Sequence, residues 1–305
     1  YFDRITRPEQ IIQSFPNAVQ TMLDPADCGP ACISLSQDIQ GQTFDYPAEF
    51  FQEKVHTIRR PRPDEFQIKE AADKIKSSKN PIIISGGGVF YSDAMEELSQ
   101  FAIKHNIPVT QTVMGYSTMK RDHSHFAGQI GGLGGKNTNT LAKETDLAIA
   151  VGTKLADFTT GSWANFENEN FKLVSINVSR YDANKHLAQA VVGDAKVSLT
   201  ELSQALGDWK VGEDWNKKSQ IELKSWNEHI DKESAPTNQE VPSYVQAIGA
   251  IYRNSDPTDI AVTAAGGLVG EVIQVWRPKE LNTHETEWGF SLSLIHISEP
   301  TRLTS

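Results

Sequence analysis

Short apolar runs that end in glycine are the feature that most limits how this chain can fold. Residues Pro81 to Gly88 read PIIISGGG, an apolar stretch that breaks into three glycines and restarts as a helix. Two further apolar runs, Leu147–Val151 and Leu173–Asn177, recur between amphipathic segments. Such runs are typical of strands that are buried on both faces, and strands that alternate with helices form parallel βαβ units. The sequence therefore predicts the α/β fold class with a doubly wound parallel sheet.

The composition limits the partners and the location of the protein. A chain of 305 residues with 38% hydrophobic residues can form more than one domain core. Its formal net charge of −10 excludes a nucleic-acid or anionic membrane surface as the expected partner, because either needs clustered Lys and Arg. No apolar run approaches the roughly 18 residues of a membrane span. We therefore expect a cytoplasmic protein, with its two cysteines, Cys28 and Cys32, reduced and buried around the start of a strand.

Changes in periodicity divide the chain into a central domain, two linkers and two flanking pieces. The complete βαβ pattern begins at Asp64, a suitable N-cap for a helix through Lys76. Prolines accumulate before it, and the polar segment after it carries tryptophans with helical spacing from Trp215 to His229. The predicted segments are a partial domain at 1–40, a linker at 41–63, the central domain at 64–206, a surface linker at 207–239 and a second partial domain at 240–291.

The usual catalytic and nucleotide-binding motifs are missing. A dinucleotide fingerprint needs a third glycine where Tyr91 stands after Gly86–Gly88, and the next strand ends without an acidic residue. The glycines are better explained by tight turns between strand and helix. His123 and His125 bracket Ser124 and could point the same way in an extended loop, but we favour a solvated loop pair over a site. The sequence therefore identifies no catalytic residue and no metal ligand, and it disfavours a nucleotide in the central domain.

The order of the segments resembles the thiamine-diphosphate-dependent superfamily, which includes acetolactate synthase and pyruvate oxidase. Residues 2–9 (FDRITRPE) and 29–38 (GPACISLSQD) are similar to the end of its pyrimidine-binding domain. Residues 81–88 and 147–152 are similar to its central domain, and residues 263–267 (TAAGG) to the opening of its diphosphate-binding domain. The resemblance implies a central α/β domain flanked by partial α/β domains.

The resemblance also implies an activity and a cofactor. It implies thiamine diphosphate, Mg²⁺ and the opening by water of a cyclic 1,2-diketone, a polyol derivative of inositol breakdown. Because the cofactor of this superfamily lies between two chains, it implies a homodimer or homotetramer. Two alternatives stay open: a carboligase of the acetolactate synthase kind, and a stand-alone nucleotide-binding module of the Rossmann type.

The cofactor-binding residues follow from the same resemblance. Four of them would form the turn whose amides approach the diphosphate, and three would lead into the segment that supports the cofactor's bent shape: Ala265, Gly266, Gly267, Leu268, Gly289, Phe290 and Ser291. The family's acidic residue and metal motif are expected before Tyr1 and after Ser291, so we expect no turnover by the chain itself. Residues 292–302 (LSLIHISEPTR) resemble a translated sequencing-library adapter, so 292–305 is expected to be a non-native tail.

Overall fold

The computed structural model describes residues 1–264 and 266–286, and its first elements form a small parallel sheet. These elements are β1 (Phe2–Ile5), α1 (Ile11–Leu23), β2 (Cys32–Leu35) and α2 (Gln37–Gln40). Strands β1 and β2 pair in parallel. Cys28 and Cys32 are free and exposed, so the expectation of buried cysteines was wrong. The reason is that β2 pairs with β1 alone in this two-stranded sheet, which leaves Cys32 and Leu35 open to solvent.

A six-stranded parallel sheet forms the centre of the molecule. Its strands are β3 (Pro81–Ser85), β4 (Val109–Gln111), β5 (Phe126–Gln129), β6 (Leu147–Val151), β7 (Lys172–Asn177) and β8 (Gln189–Val192). They lie in the order β5-β4-β3-β6-β7-β8, and every pairing is parallel. Every residue of β3 and β6 is buried. The apolar runs therefore become central strands, as the sequence predicts, because only such runs can lie between two helical layers.

Helices cover this sheet and complete a doubly wound α/β domain, which confirms the predicted fold class. They are α3 (Glu65–Lys76), α4 (Gly87–Tyr91), α5 (Met95–His105), α6 (Lys136–Glu144), α7 (Asp157–Thr160), α8 (Arg180–Ala183) and α9 (Ala195–Leu206). Helix α3 begins at the predicted cap, since the Asp64 carboxylate accepts the Phe66 amide at 2.9 Å. Helix α9 contacts both α3 and α5. The strand order reverses between β3 and β6, so right-handed connections place α5 and α6 on opposite faces.

The segment 207–239, predicted as a surface linker, contains the helix α10 (Glu213–Glu233). This helix packs on α6 and β5. Trp215 and Leu223 are 6% exposed and belong to the main hydrophobic core, and the Trp215 indole donates to the Pro81 carbonyl at 2.8 Å. Trp215, which the sequence analysis assigns to a surface linker, thus belongs to the core of the central domain.

The last described elements begin another α/β unit. They are α11 (Tyr244–Arg253), β9 (Ala261–Thr263), α12 (Gly267–Val275) and β10 (His284–Thr286). Strands β9 and β10 pair in parallel, and α11 packs on α12. No helix within 1–264 or 266–286 has the length and apolar character needed to cross a membrane.

Candidate functional site

The turn between β9 and α12 presents backbone amides without side chains in front of them. Gly266 has φ +128° and ψ 175°, a conformation essentially reserved for glycine. Helix α12 starts directly after it at Gly267, and among the described residues no side chain caps the amides of its first turn. Such amides lack partners within the helix and carry the positive end of its dipole. The turn is therefore suited to an anionic group, phosphate above all.

Space at this turn is open as well. Gly266, Gly267 and Leu268 are exposed. A methyl group built on either glycine would meet no atom of the described residues within 4 Å. The Leu268 side chain is half exposed and apolar, so it adds no polar group to the turn. We call Gly266, Gly267 and Leu268 the open turn.

The structure describes three of the seven predicted cofactor-binding residues, and these three are adjacent. Gly266, Gly267 and Leu268 form the open turn. The other four lie outside the described residues: Ala265, Gly289, Phe290 and Ser291. The described part of the predicted site is thus one turn, of a geometry suited to an anion, at the amino end of a helix.

The first glycine cluster of the sequence, Gly86–Gly88, is enclosed by neighbouring backbone. Gly86 follows β3, and its amide donates to the Val151 carbonyl at 2.9 Å. The Gly88 amide donates to the Gly152 carbonyl at 2.9 Å. A methyl group on Gly86 would lie 2.4 Å from that carbonyl oxygen, and one on Gly88 would lie 2.6 Å from the Gly152 Cα. We call Gly86–Gly88 the closed turn, because the chain itself occupies the place where a phosphate would approach.

The closed turn lies where ligands usually bind in doubly wound sheets. The crevice at the carboxyl ends of the strands, at the reversal of strand order, holds the dinucleotide in such folds. That reversal lies between β3 and β6, which carry Ser85 and Val151 at their carboxyl ends. Direct contact of Gly88 with Gly152 fills the crevice with backbone. The glycines therefore serve close packing, as the broken fingerprint indicates.

The two histidines of the 123–125 loop are more buried than the sequence predicts. His125 is 7% exposed, and its Nε2 lies 3.0 Å from Asn106 Oδ1. The Oγ of Ser99 lies 3.0 Å from His123 Nε2. Burial lowers the pKa of both rings, that of His125 to about 4. Both rings are therefore neutral near pH 7, and their contacts hold the loop against α5 instead of exposing it to solvent.

Neither a metal site nor a second candidate site is supported by the described residues. A surface cavity of about 330 Å³ lies beside His125 and is lined mainly by Lys104, Lys210 and Lys217, with Glu213. None of its lining residues belongs to the open turn. Within the part of the chain that the structure describes, no group of three His, Cys, Asp or Glu side chains is placed to hold a metal ion.

Comparison with known proteins supports the assignment of the central α/β domain. Residues 68–202 match the family described as "Thiamine pyrophosphate enzyme, central domain". Among curated proteins, the chain is similar to enzymes named 3D-(3,5/4)-trihydroxycyclohexane-1,2-dione hydrolase. The relative from Clostridium perfringens (strain 13) is 35% identical over 95% of this chain and 49% of its own length. The relative from Bacillus licheniformis is 37% identical over 98% of this chain and 50% of its own length.

This similarity extends beyond the central domain. The chain spans about half the length of the curated relatives it matches. Matches over 95% or more of the chain include the region of the open turn and not only residues 68–202. Residues 68–202 belong to the family of thiamine pyrophosphate enzyme central domains.

Proposed function

We propose that this chain takes part in the ring opening of trihydroxycyclohexane-1,2-dione by water, with thiamine diphosphate as cofactor. The observation that carries the proposal is the 35–37% identity to hydrolases of that name over nearly the whole chain. The product would be a deoxyglucuronic acid, and the reaction would be a step of inositol catabolism. A cytoplasmic homodimer or homotetramer is proposed with it on the resemblance to the superfamily.

The open turn supports the cofactor part of this proposal. The amides of Gly267 and Leu268 begin α12 without a side-chain cap, so they can donate to the terminal phosphate oxygens of the diphosphate. Glycine at positions 266 and 267 leaves the approach free of other described residues. When bound, thiamine diphosphate supplies a carbon nucleophile and an electron sink for cleavage of a C–C bond next to a carbonyl. The described residues thus bind and orient the cofactor, whereas no proton-transfer group is assigned among them.

Magnesium is proposed on the resemblance alone. A diphosphate at the open turn would carry several negative charges, which a divalent cation commonly offsets. No described cluster of carboxylates or imidazoles fits such an ion, so no step of the reaction is assigned to it here.

The two alternative functions differ from the proposal in what must bind and where. A carboligase would use the same cofactor and join a second carbonyl compound instead of admitting water. A stand-alone nucleotide-binding module would use the central domain, and the filled crevice at Gly88 and Gly152 disfavours it. The proposal therefore predicts a phosphate ligand at the open turn and none at the closed turn.

The activity is tested with a chimera that carries this chain in place of the aligned half of the Clostridium perfringens relative. We expect the chimera to consume the dione when thiamine diphosphate and Mg²⁺ are present, as measured by loss of substrate and by appearance of the acid. The unaltered relative is the control. A soluble chimera that binds thiamine diphosphate but only condenses pyruvate would favour the carboligase.

Ligand binding is tested on the 305-residue chain itself. We expect pyrophosphate to shift the ¹⁵N–¹H resonances of Gly266, Gly267 and Leu268 and to leave those of Gly86 and Gly88 in place. ADP and NAD are the comparison ligands. Shifts at Gly86–Gly88 with ADP would support the nucleotide-binding module instead.

A further inference from the structure

A buried tyrosine of the central domain holds the far end of the helix that starts at the open turn. Tyr116 is 1% exposed, and its hydroxyl donates to the carbonyl of Ile273 at 2.9 Å and also contacts the carbonyl of Trp276. Both acceptors lie at the carboxyl end of α12, where carbonyls have no partner within a helix. Tyr116 therefore caps α12 from another part of the fold, more than 150 residues away in sequence.

The Tyr116 hydroxyl is buried and stays protonated. Burial raises the pKa of the Tyr116 phenol far above its ordinary value, so the hydroxyl stays a donor throughout the neutral range. Val269 and Ile273 of α12 pack with the Tyr116 ring in one small hydrophobic cluster, which Leu133 joins from the central domain. Helix α12 thus touches the central domain along its inner face.

The loop that carries Tyr116 is held against the end of β3. The Thr112 hydroxyl accepts the Gly115 amide at 3.0 Å. A methyl group on Gly115 would lie 2.2 Å from the Ser85 carbonyl oxygen, so this loop lies directly on the end of β3. The Thr118 hydroxyl lies 2.8 Å from the Ser85 hydroxyl. Tyr116 is consequently held at a set position relative to the central sheet.

A second contact connects Tyr116 to the strand that leads into the open turn. The His284 ring packs edge-on against the Tyr116 ring with centroids 4.6 Å apart, and it is 4% exposed. Its Nε2 lies 3.5 Å from the hydroxyl of Thr263, the last residue of β9. The tyrosine therefore contacts the helix after the open turn directly and the strand before it through one histidine.

We propose that Tyr116 is a positioning residue, whose hydroxyl fixes α12 on the central domain and thereby sets the direction of the amides at the open turn. This inference rests on the proposed function in one respect, that the open turn binds a diphosphate. It assigns to the central domain a role in aligning the cofactor site. A helix that is free to tilt would present the same amides with poorer geometry and bind the anion less tightly.

The test compares Tyr116→Phe with Thr110→Val in the full 305-residue chain. Each variant removes one buried hydroxyl that donates to a backbone carbonyl, since Thr110 Oγ1 donates to the Ile83 carbonyl at 2.9 Å. Thr110 lies within β4, away from α12. The matched control separates a general loss of stability, measured by urea denaturation, from an effect that is specific to the open turn.

Pyrophosphate is the probe, and its dissociation constant is taken from the resonance shifts of Gly266 and Gly267. We expect Tyr116→Phe to weaken binding roughly three- to tenfold, the equivalent of one hydrogen bond, and Thr110→Val to leave it unchanged. Amide exchange of α12 in the absence of ligand should rise only in Tyr116→Phe. Unchanged pyrophosphate affinity in Tyr116→Phe, with binding by the unaltered chain, overturns the inference.

Failure of the proposed function gives a different result. If the unaltered chain shows no pyrophosphate shifts at the open turn, the diphosphate assignment is contradicted whatever the tyrosine does. Amide exchange then decides the positioning role by itself. Equal exchange of α12 in the two variants overturns it, and faster exchange confined to Tyr116→Phe supports it.

Discussion

The closed turn and the open turn are built from the same local pattern and differ in what surrounds them. Each follows a parallel strand, each has glycine at the N-cap, and each begins a helix without a side-chain cap. At the closed turn two amides donate to the carbonyls of Val151, the last residue of β6, and of Gly152, which follows it. At the open turn, both glycines face space among the described residues. A glycine-rich turn between strand and helix is therefore a binding site only where the fold leaves its amides free.

The largest expected effect comes from a methyl group placed in the closed turn. Gly88→Ala puts Cβ 2.6 Å from the Gly152 Cα. The clash is with backbone, so it cannot be relieved by rotating a side chain. We expect a loss of about 3 kcal/mol in the free energy of unfolding, despite alanine's better helix propensity. Urea denaturation measures it. Gly132→Ala is the control, because its Cβ would meet no atom closer than 3.7 Å.

Equal stability of Gly88→Ala and Gly132→Ala would show that the crevice between β3 and β6 can widen. The closed turn would then be able to admit a ligand, and the contrast between the two turns would lose its basis.

The sequence predicts the strands that bear these turns better than it predicts their surroundings. The runs that become β3, β6 and β7 are apolar enough to be recognised in isolation. The edge strand β5 (FAGQ) is missed, since it is short and contains glycine and glutamine. Nothing within 81–88 indicates that Gly152 will lie against Gly88, because that contact is formed between distant segments.

The residues that hold the helix after the open turn could not be predicted from the sequence either. Tyr116 lies in an irregular loop, and its acceptors are backbone carbonyls, which leave no trace in residue type. The resemblance to thiamine-diphosphate enzymes predicts a cofactor role for the glycines of the turn, whereas the residues that contact the following helix required the tertiary structure. The role of His284 was also not predictable from the sequence, since a single histidine on a three-residue strand has no motif around it.

Acid should lower the free energy of unfolding through His284, the histidine that packs against Tyr116. Burial lowers the pKa of His284 from 6.5 to about 4, so its contribution to stability is present above pH 6.5 and is lost as the pH falls toward 4. We expect a loss of about 2 kcal/mol between pH 7 and pH 5 from this residue. His284→Gln should reduce the pH dependence of unfolding by that amount. The same pH dependence in both proteins would contradict the burial of a neutral ring at this place.

A smaller effect is expected from Gly266→Ala. The substitution meets no steric obstacle among the described residues, but φ +128° is strained for any residue with a Cβ. We expect a loss of about 1 kcal/mol in the free energy of unfolding. Gly41→Ala, at φ −86°, is the control without strain. No difference between the two would mean that the open turn relaxes freely and that its geometry is not held by the fold.

The smallest effect on stability, and the sharpest on binding, is expected from Gly267→Ala. Gly267 is the first residue of α12, its Cβ would face open space, and alanine is the better helix former, so stability should change by less than about 0.5 kcal/mol. The added methyl group would stand where an anion approaches the amides, so pyrophosphate should bind roughly tenfold more weakly. Urea denaturation and resonance shifts measure the two quantities on one sample. Unaltered stability together with unaltered affinity would exclude the open turn as the anion site. The added methyl group would then block the turn without disturbing the fold and without weakening the binding of pyrophosphate.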